Sequence, residues 1–160
     1  MKTNRIDDKD RKILCALQKD GRLPNAHLAE KVGLSPPSVL ERVRKLETRG
    51  LIRGYTAILD EKKLGFGATV FVQVSLSLHK SEAIENFHKA ILDLPEIHET
   101  YHVTGEEDYL LKVVLPNIES YEDFLLHKLT RIEGIDRVKS SFVLSSLKKH
   151  SNLKLREEDC

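Results

Sequence analysis

An α+β chain in two parts is predicted by three observations on the 160-residue sequence. Apolar residues recur at helical spacing in three short segments before residue 50, and a tight glycine turn joins the second to the third. Beyond residue 68, alternating and helical segments follow one another in the order β-α-β-β-α-β. The charge divides at the same place. Residues 1–59 carry 13 Lys/Arg against 7 Asp/Glu, a net of +6, and residues 60–160 carry 13 against 18, a net of −5. The first part is suited to meeting a polyanion and the second is not.

The first helix starts at Asp7-Asp8-Lys9-Asp10, whose carboxylates cap a helix and suit its positive end. Ile6, Ile13, Leu14 and Leu17 supply an apolar stripe, and Asp20-Gly21 closes the helix. A second short helix, from Pro24 or Asn25 to Val32, buries Leu28, Ala29 and Val32. Gly33 stands where a helix end takes a left-handed residue, and Leu34 tucks under the turn. Ser35 is then an N-cap, and Pro36 fills the first helical position, where a missing N–H costs nothing. Val39, Val43 and Leu46 fall at i, i+4 and i+7 and face the other two helices. Ser38, Arg42, Lys45 and Arg49 keep the same rhythm along another side, with Glu41 and Arg44 beside them. Gly50-Leu-Ile-Arg-Gly-Tyr and Thr56 to Leu59 read as a turn into a short extended segment, with Leu51 and Ile52 closing the core.

Most charged helix faces are simply solvated. Here the preceding helix and turn, the double cap and the +6 charge favour a winged helix-turn-helix whose third helix enters the major groove of double-stranded DNA. Its lysines and arginines would supply the salt-dependent phosphate contacts. Ser38, Glu41 and Arg42 would read base edges, with Arg42 the candidate for a bidentate guanine contact. Ser35, Arg44, Lys45 and Arg49 complete the expected DNA-binding set, and Arg53 touches the backbone as a wing residue. One such unit reads few base pairs, so a dimer or larger assembly is expected.

The expected organisation is a helix-turn-helix domain over 1–54, a linker with a short strand over 55–68, an effector domain over 69–147, and a charged tail over 148–160. In the third segment Val70, Val72, Val74, Leu76 and Leu78 alternate with Phe71, Gln73, Ser75 and Ser77, which is a strand. Ser81 to Leu94 is helical, with Ile84, Phe87, Ile91 and Leu94 on one side. Ile97 to Thr104 alternates, Gly105-Glu-Glu breaks the chain, and Tyr109, Leu111, Val113 and Leu115 mark another strand. Ile118 to Ile132 is helical through Tyr121, Phe124, Leu125 and Leu129, Gly134 ends it, and Val138 to Leu147 is the last strand. This order gives a ferredoxin-like βαββαβ fold, an antiparallel sheet with both helices on one face. The other face, expected around Phe71, Tyr101 and the Ser140/Phe142 region, is left for a second copy to cover.

No run approaches the ~20 apolar residues of a membrane span, and the start of the sequence lacks the apolar stretch of a signal peptide. Two cysteines, Cys15 and Cys160, make no disulfide framework and fit a reducing cytoplasm, with Cys15 read as a small buried residue. The tail from Lys148 to Cys160 is highly charged and reads as a solvated helical or disordered extension.

Together these stretches resemble the Lrp/AsnC family, the leucine-responsive and asparagine-responsive transcriptional regulators of bacteria and archaea. The resemblance runs from Ile6 to about Lys148 and is carried by Asp10-Arg-Lys-Ile-Leu, Asp20-Gly-Arg, Val32-Gly-Leu-Ser-Pro, Glu41-Arg-Val-Arg-Lys-Leu-Glu, Gly50-Leu-Ile-Arg-Gly-Tyr and Val103-Thr-Gly-Glu-Glu-Asp-Tyr-Leu-Leu-Lys. It implies a sequence-specific DNA-binding regulator whose C-terminal RAM module binds a small effector, an amino acid, between subunits. It also implies dimers through the sheets that assemble to octamers, and no cofactor, metal or catalytic residue. The family's Gly-x-x-Asp-Tyr turn falls on Thr104, Gly105, Asp108 and Tyr109, Ser140 stands where many relatives have threonine, and His102 shares the strand side of Thr104. Turn amides can hold a carboxylate and Asp108 an ammonium. Two positions depart from the family: Pro37 replaces a hydroxyl residue, and Glu106-Glu107 replaces a pair that usually carries an aromatic.

Two other functional classes fit parts of the sequence. A sirohaem-decarboxylase-like enzyme would explain seven histidines, but His98 and His102 lie ~13 Å apart along a strand, and no nucleophile-base set or phosphate loop appears. An amino-acid sensor acting through a protein partner leaves the +6 first part without a purpose.

Overall fold

The first turn of the chain caps itself. Asp7 accepts a hydrogen bond from the Asp10 amide at 2.8 Å, and the Asp10 carboxylate accepts the Asp7 amide at 3.3 Å. This reciprocal cap starts α1 (Asp8–Lys19), which is followed by α2 (Asn25–Val32) and α3 (Pro36–Thr48). The computed structural model describes residues 6–77, 81–149 and 152–155. The chain divides into two compact units, Met1–Ile58 with Lys148–Cys160, and Leu59–Leu147.

In the first unit Ile13, Leu28, Ala29, Val32, Val39, Val43 and Leu46 form the buried core, the side the periodicity assigns to them. Leu14, Leu17, Leu34 and Ile52 close it from the edges. Beyond α3 the expected wing strand is absent among the described residues, and residues 53–60 belong to no ladder. The tail differs too. Asn152–Leu155 lies against α1, where the Leu153 amide donates to Gln18 Oε1 at 2.7 Å and Gln18 Nε2 donates to the Leu153 carbonyl at 3.3 Å.

In the second unit β1 (Ala68–Leu76), β2 (Ile97–His102), β3 (Tyr109–Leu115) and β4 (Ile135–Phe142) form one antiparallel sheet in the order β2-β3-β1-β4. Two helices, α4 (Ser81–Leu92) and α5 (Ile118–His127), connect them, α5 being followed by a 3-10 turn at Leu129–Arg131. Val70, Val72, Val74, Leu111 and Val113 project to one face, where Phe87, Ile91, Tyr121, Phe124 and Leu129 cover them. Asn117 caps α5 by accepting the Ser120 amide at 2.8 Å. The linker seats on this unit at Gly67, whose amide donates to the Pro116 carbonyl at 2.9 Å. A Cβ there would stand 2.8 Å from that oxygen, so only glycine fits.

Two expectations are corrected by register. Ser140 pairs with Val72 and Phe142 with Val70, so both lie on the helix-covered face, not the open one. Tyr121 confirms it, its hydroxyl meeting Ser140 Oγ and its ring meeting Phe142 edge-on. The open face is built from Phe71, Gln73, Tyr101, Leu110, Lys112 and Lys139. The last strand also begins at Ile135, three residues earlier than expected, and ends at Phe142 rather than Leu147. Leu78, expected in β1, and Cys160 lie outside the described residues.

Candidate nucleic-acid interface and effector turn

The turn between α2 and α3 is fixed twice. Gly33 takes φ +65° and ψ +52°, and its amide with that of Leu34 closes the end of α2 on the carbonyls of Glu30 and Ala29. The Lys9 ammonium then reaches from α1 to the Val32 and Gly33 carbonyls, placing a cation at the negative end of α2.

The first turn of α1 holds α3 as well. The Arg42 guanidinium meets Asp7 Oδ2 and Asp10 Oδ1, each at 2.7 Å, with its side chain 31 % exposed and that of Asp10 11 %. The Asp10 amide, followed by Arg42, holds the Asp7 carboxyl below the usual carboxylate range. The two carboxylates in turn push the guanidinium above its ordinary value. Arg42 therefore faces α1, where its Nη1 is shared between the two carboxylates. This contact gives Arg42 a structural partner on α1 beside its expected base-reading role.

At about 100° per residue, the side of α3 opposite Val39, Val43 and Leu46 carries Pro37, Glu41, Arg44 and Thr48, flanked by Ser38 and Lys45. All six are exposed. Glu41 and Lys45 pair across one turn, which holds the Glu41 carboxyl below its usual range. Arg44 has no ion pair among the described residues. Ser35 occupies the N-cap position, but its hydroxyl bonds Ser38 Oγ at 2.9 Å instead of a helix amide. Arg49 forms the C-cap of α3, and Arg53 is exposed beyond it. Thr48 is not in the expected set, because the charged stripe Ser38, Arg42, Lys45 and Arg49 runs one helix flank away. The i, i+4, i+7, i+11 run from Pro37 through Glu41 and Arg44 to Thr48 was the available signal.

The candidate effector turn joins β2 to β3. Thr104, Gly105 and Glu106 are exposed, and Gly105 takes φ +136° with open space where a Cβ would lie. Asp108 anchors the turn to β1: its amide donates to the Val74 carbonyl at 3.0 Å, and its Oδ2 accepts the Leu76 amide at 2.8 Å. The ladder between β1 and β3 ends at the Val74–Tyr109 pair, and Asp108 gives the Leu76 amide an acceptor just beyond it. Tyr109 follows on the covered face. Its ring stacks on His102 at 5.0 Å, and its hydroxyl shares a 2.9 Å hydrogen bond with His88 Nε2. Burial, with the nearby Asp108 charge, pushes the Tyr109 phenol up. His102, Asp108 and Tyr109 are thus brought together around the exposed turn. Ser140 is engaged separately by Tyr121, across the sheet on β4. His88 was missed because the helical pattern of α4 marks it only as a polar position. Among the described residues no group of three His, Cys, Asp or Glu side chains could hold a metal, and no helix is long and apolar enough to cross a membrane.

Residues 6–47 match the AsnC-type helix-turn-helix domain and residues 69–153 the Lrp/AsnC ligand-binding domain. The chain is 40 % identical over 151 residues to the leucine-responsive regulatory proteins of Klebsiella pneumoniae and Escherichia coli K12, covering 94 % of this chain and 92 % of each relative. Among solved structures, a transcriptional regulator from Neisseria meningitidis in complex with L-Met superposes with a TM-score of 0.90 at 36 % identity, covering 94 % of this chain and 97 % of that one. AsnC of Escherichia coli superposes with a TM-score of 0.85 at 28 % identity, covering 92 % and 97 %. With a glycine-turned helix pair in one unit, a ferredoxin-like sheet in the other and both domains matched along nearly the whole chain, the protein belongs to the Lrp/AsnC family of transcriptional regulators.

Proposed function

We propose that the outward line of α3 is the DNA-reading surface and that an amino acid bound at the β2–β3 turn modulates DNA affinity or assembly. The observation that carries the first half is the division of labour on α3. Arg42 Nη1 is held by Asp7 and Asp10, while Arg44 stands exposed with no carboxylate paired to it among the described residues. Arg44 and Lys45 would supply cationic contacts in the groove, with Ser38, Glu41 and Thr48 as short polar readers. Ser35, Arg49 and Arg53 lie at the two ends of α3, where phosphates pass. Pro37 offers no hydroxyl to this line, so its side chain makes no hydrogen bond to a phosphate there.

For the effector, the exposed backbone around Gly105 offers amides to a carboxylate, and the Asp108 carboxylate has lone pairs beyond the one that Leu76 uses. The L-Met held by the Neisseria relative makes an amino acid the ligand class to test. A homodimer formed through the open sheet face, assembling to an octamer, is the expected state, in the cytoplasm. The protein acts as a regulator and not as an enzyme.

The test is the melting temperature with each of the twenty amino acids at millimolar concentration, since a ligand that prefers the folded state must raise it. A rise with one chemical class is expected, lost in Asp108→Asn, which keeps an acceptor for Leu76 but removes the charge. No rise with any of them, or a rise undiminished in Asp108→Asn, contradicts this site.

A further inference from the structure

We propose that the effector is an aromatic amino acid whose ring stacks on the exposed face of His102, which makes this histidine the specificity-determining residue of the site. The inference rests on the reading of the β2–β3 turn as the effector site and names the side chain that the turn selects.

His102 closes β2, the outermost strand of the sheet, and pairs with Tyr109 at the start of β3. The two rings stack with centroids 5.0 Å apart and 21° between their planes. They are held very differently. Tyr109 is 2 % exposed, lies 4.7 Å from the Phe87 ring and shares its hydroxyl with His88 Nε2 at 2.9 Å. It is a fixed platform. His102 is exposed, and among the described residues Tyr109 is the only ring against it. Tyr109 covers the imidazole from the inner strand, and no strand lies beyond β2 on the other side. One face of His102 is therefore oriented by the protein, and the other looks outward from the sheet edge. The turn directs Glu107 away from it: Glu107 Oε2 accepts from Gln73 Nε2 at 3.5 Å, on the open face of the sheet.

Anchors for the head group of an amino acid lie beside this ring. The Val103 amide donates to the Asp108 carbonyl at 2.9 Å and holds the two limbs of the turn together. Between them Thr104 is exposed, and Gly105 has nothing within 4 Å of where a Cβ would lie. An α-carboxylate at the turn amides and an α-ammonium at Asp108 leave the ligand's side chain next to His102. A flat ring there extends the Tyr109–His102 stack to three members and gains the attraction of offset aromatic pairs. A branched aliphatic chain gains contact area alone.

The full chain contains no tryptophan, so L-tryptophan can be titrated and followed by its own emission, excited beyond the tyrosine band. That emission should change saturably. In competition with it, phenylalanine should bind about fivefold tighter than leucine, methionine or arginine. His102→Leu should lose this preference, and His102→Phe, which keeps a flat ring against Tyr109, should retain it. Asp108→Asn should weaken all these amino acids alike, because it alters the contact to the head group. Tighter binding of leucine, methionine or arginine, still weakened by Asp108→Asn, would overturn the aromatic assignment and leave the effector site standing. A phenylalanine preference unchanged in His102→Leu would remove His102 from its role. Binding of none of these amino acids, or binding undiminished in Asp108→Asn, would overturn the effector site and this inference with it.

Discussion

The two units are held together by different means. The ferredoxin-like unit rests on one apolar face, with strand residues of β1 and β3 covered by Phe87 on α4 and Phe124 on α5. The helix-turn-helix unit has half as many buried core residues, and charged side chains from a single turn of α1 do much of its positioning. Lys9 closes the end of α2, while Asp7 and Asp10 hold α3 through Arg42. A small domain with a thin core cannot set the angle of a recognition helix by burial alone, and directional charged hydrogen bonds supply that definition. The large unit has area to spare, and its charged contacts, Asp108 on the Leu76 amide and the Glu96–Lys128 and Glu99–Lys112 pairs, fasten a turn and neighbouring elements around a core already set by burial.

This comparison can be broken most strongly in the core. Phe124→Ala should cost about 3–5 kcal/mol in the second unit, lowering its melting transition and leaving helix-turn-helix DNA contacts unchanged in the cold. Next is Gly67→Ala, where the added methyl meets the Pro116 carbonyl. It should destabilise the second unit by about 1–3 kcal/mol by urea denaturation. Arg42→Ala comes third, at about 1–2 kcal/mol, because Asp10 is left partly buried without its cation.

That variant also carries a pH signature. The folded Asp7 carboxyl sits below its ordinary value, so its contribution is fully present above about pH 4 and is lost as pH falls through the folded value. Acid denaturation of the first unit should therefore steepen below about pH 4 in the wild type and be blunted in Arg42→Ala. Lys9→Met should have the smallest effect, about 0.3–1 kcal/mol, seen as a small loss of helix signal.

Legibility followed the same division. The covered-face residues from Val70 on β1 and along β3 could be read from alternation, although Ala68 falls within the expected linker, and Val39, Val43 and Leu46 from their spacing, because burial imposes a period on sequence. The helix-turn-helix boundaries were equally clear, since Gly33 and Pro36 have few other uses at adjacent helix ends. Polar residues were less readable. Arg42 satisfies the same spacing as a solvent-facing reader, and only the folded positions of Asp7 and Asp10, more than thirty residues away, show that it faces inward. Ser140 is similar: without the register of β4 against β1, nothing told which face it takes. The wing failed for a further reason, because an extended sequence predicts a strand only where a partner edge exists.

Arg44→Ala and Arg42→Lys, compared in salt-dependent binding to an operator duplex at a temperature where both are folded, test the division of labour on α3 most directly. Arg44→Ala should weaken binding, reduce the salt slope by about one and leave the melting temperature unchanged. Arg42→Lys should lower the melting temperature, since an ammonium cannot bridge both carboxylates with the same geometry, and keep the full salt slope. A lost salt slope in Arg42→Lys with unchanged stability, together with wild-type binding by Arg44→Ala, would contradict the assignment and return Arg42 to the DNA.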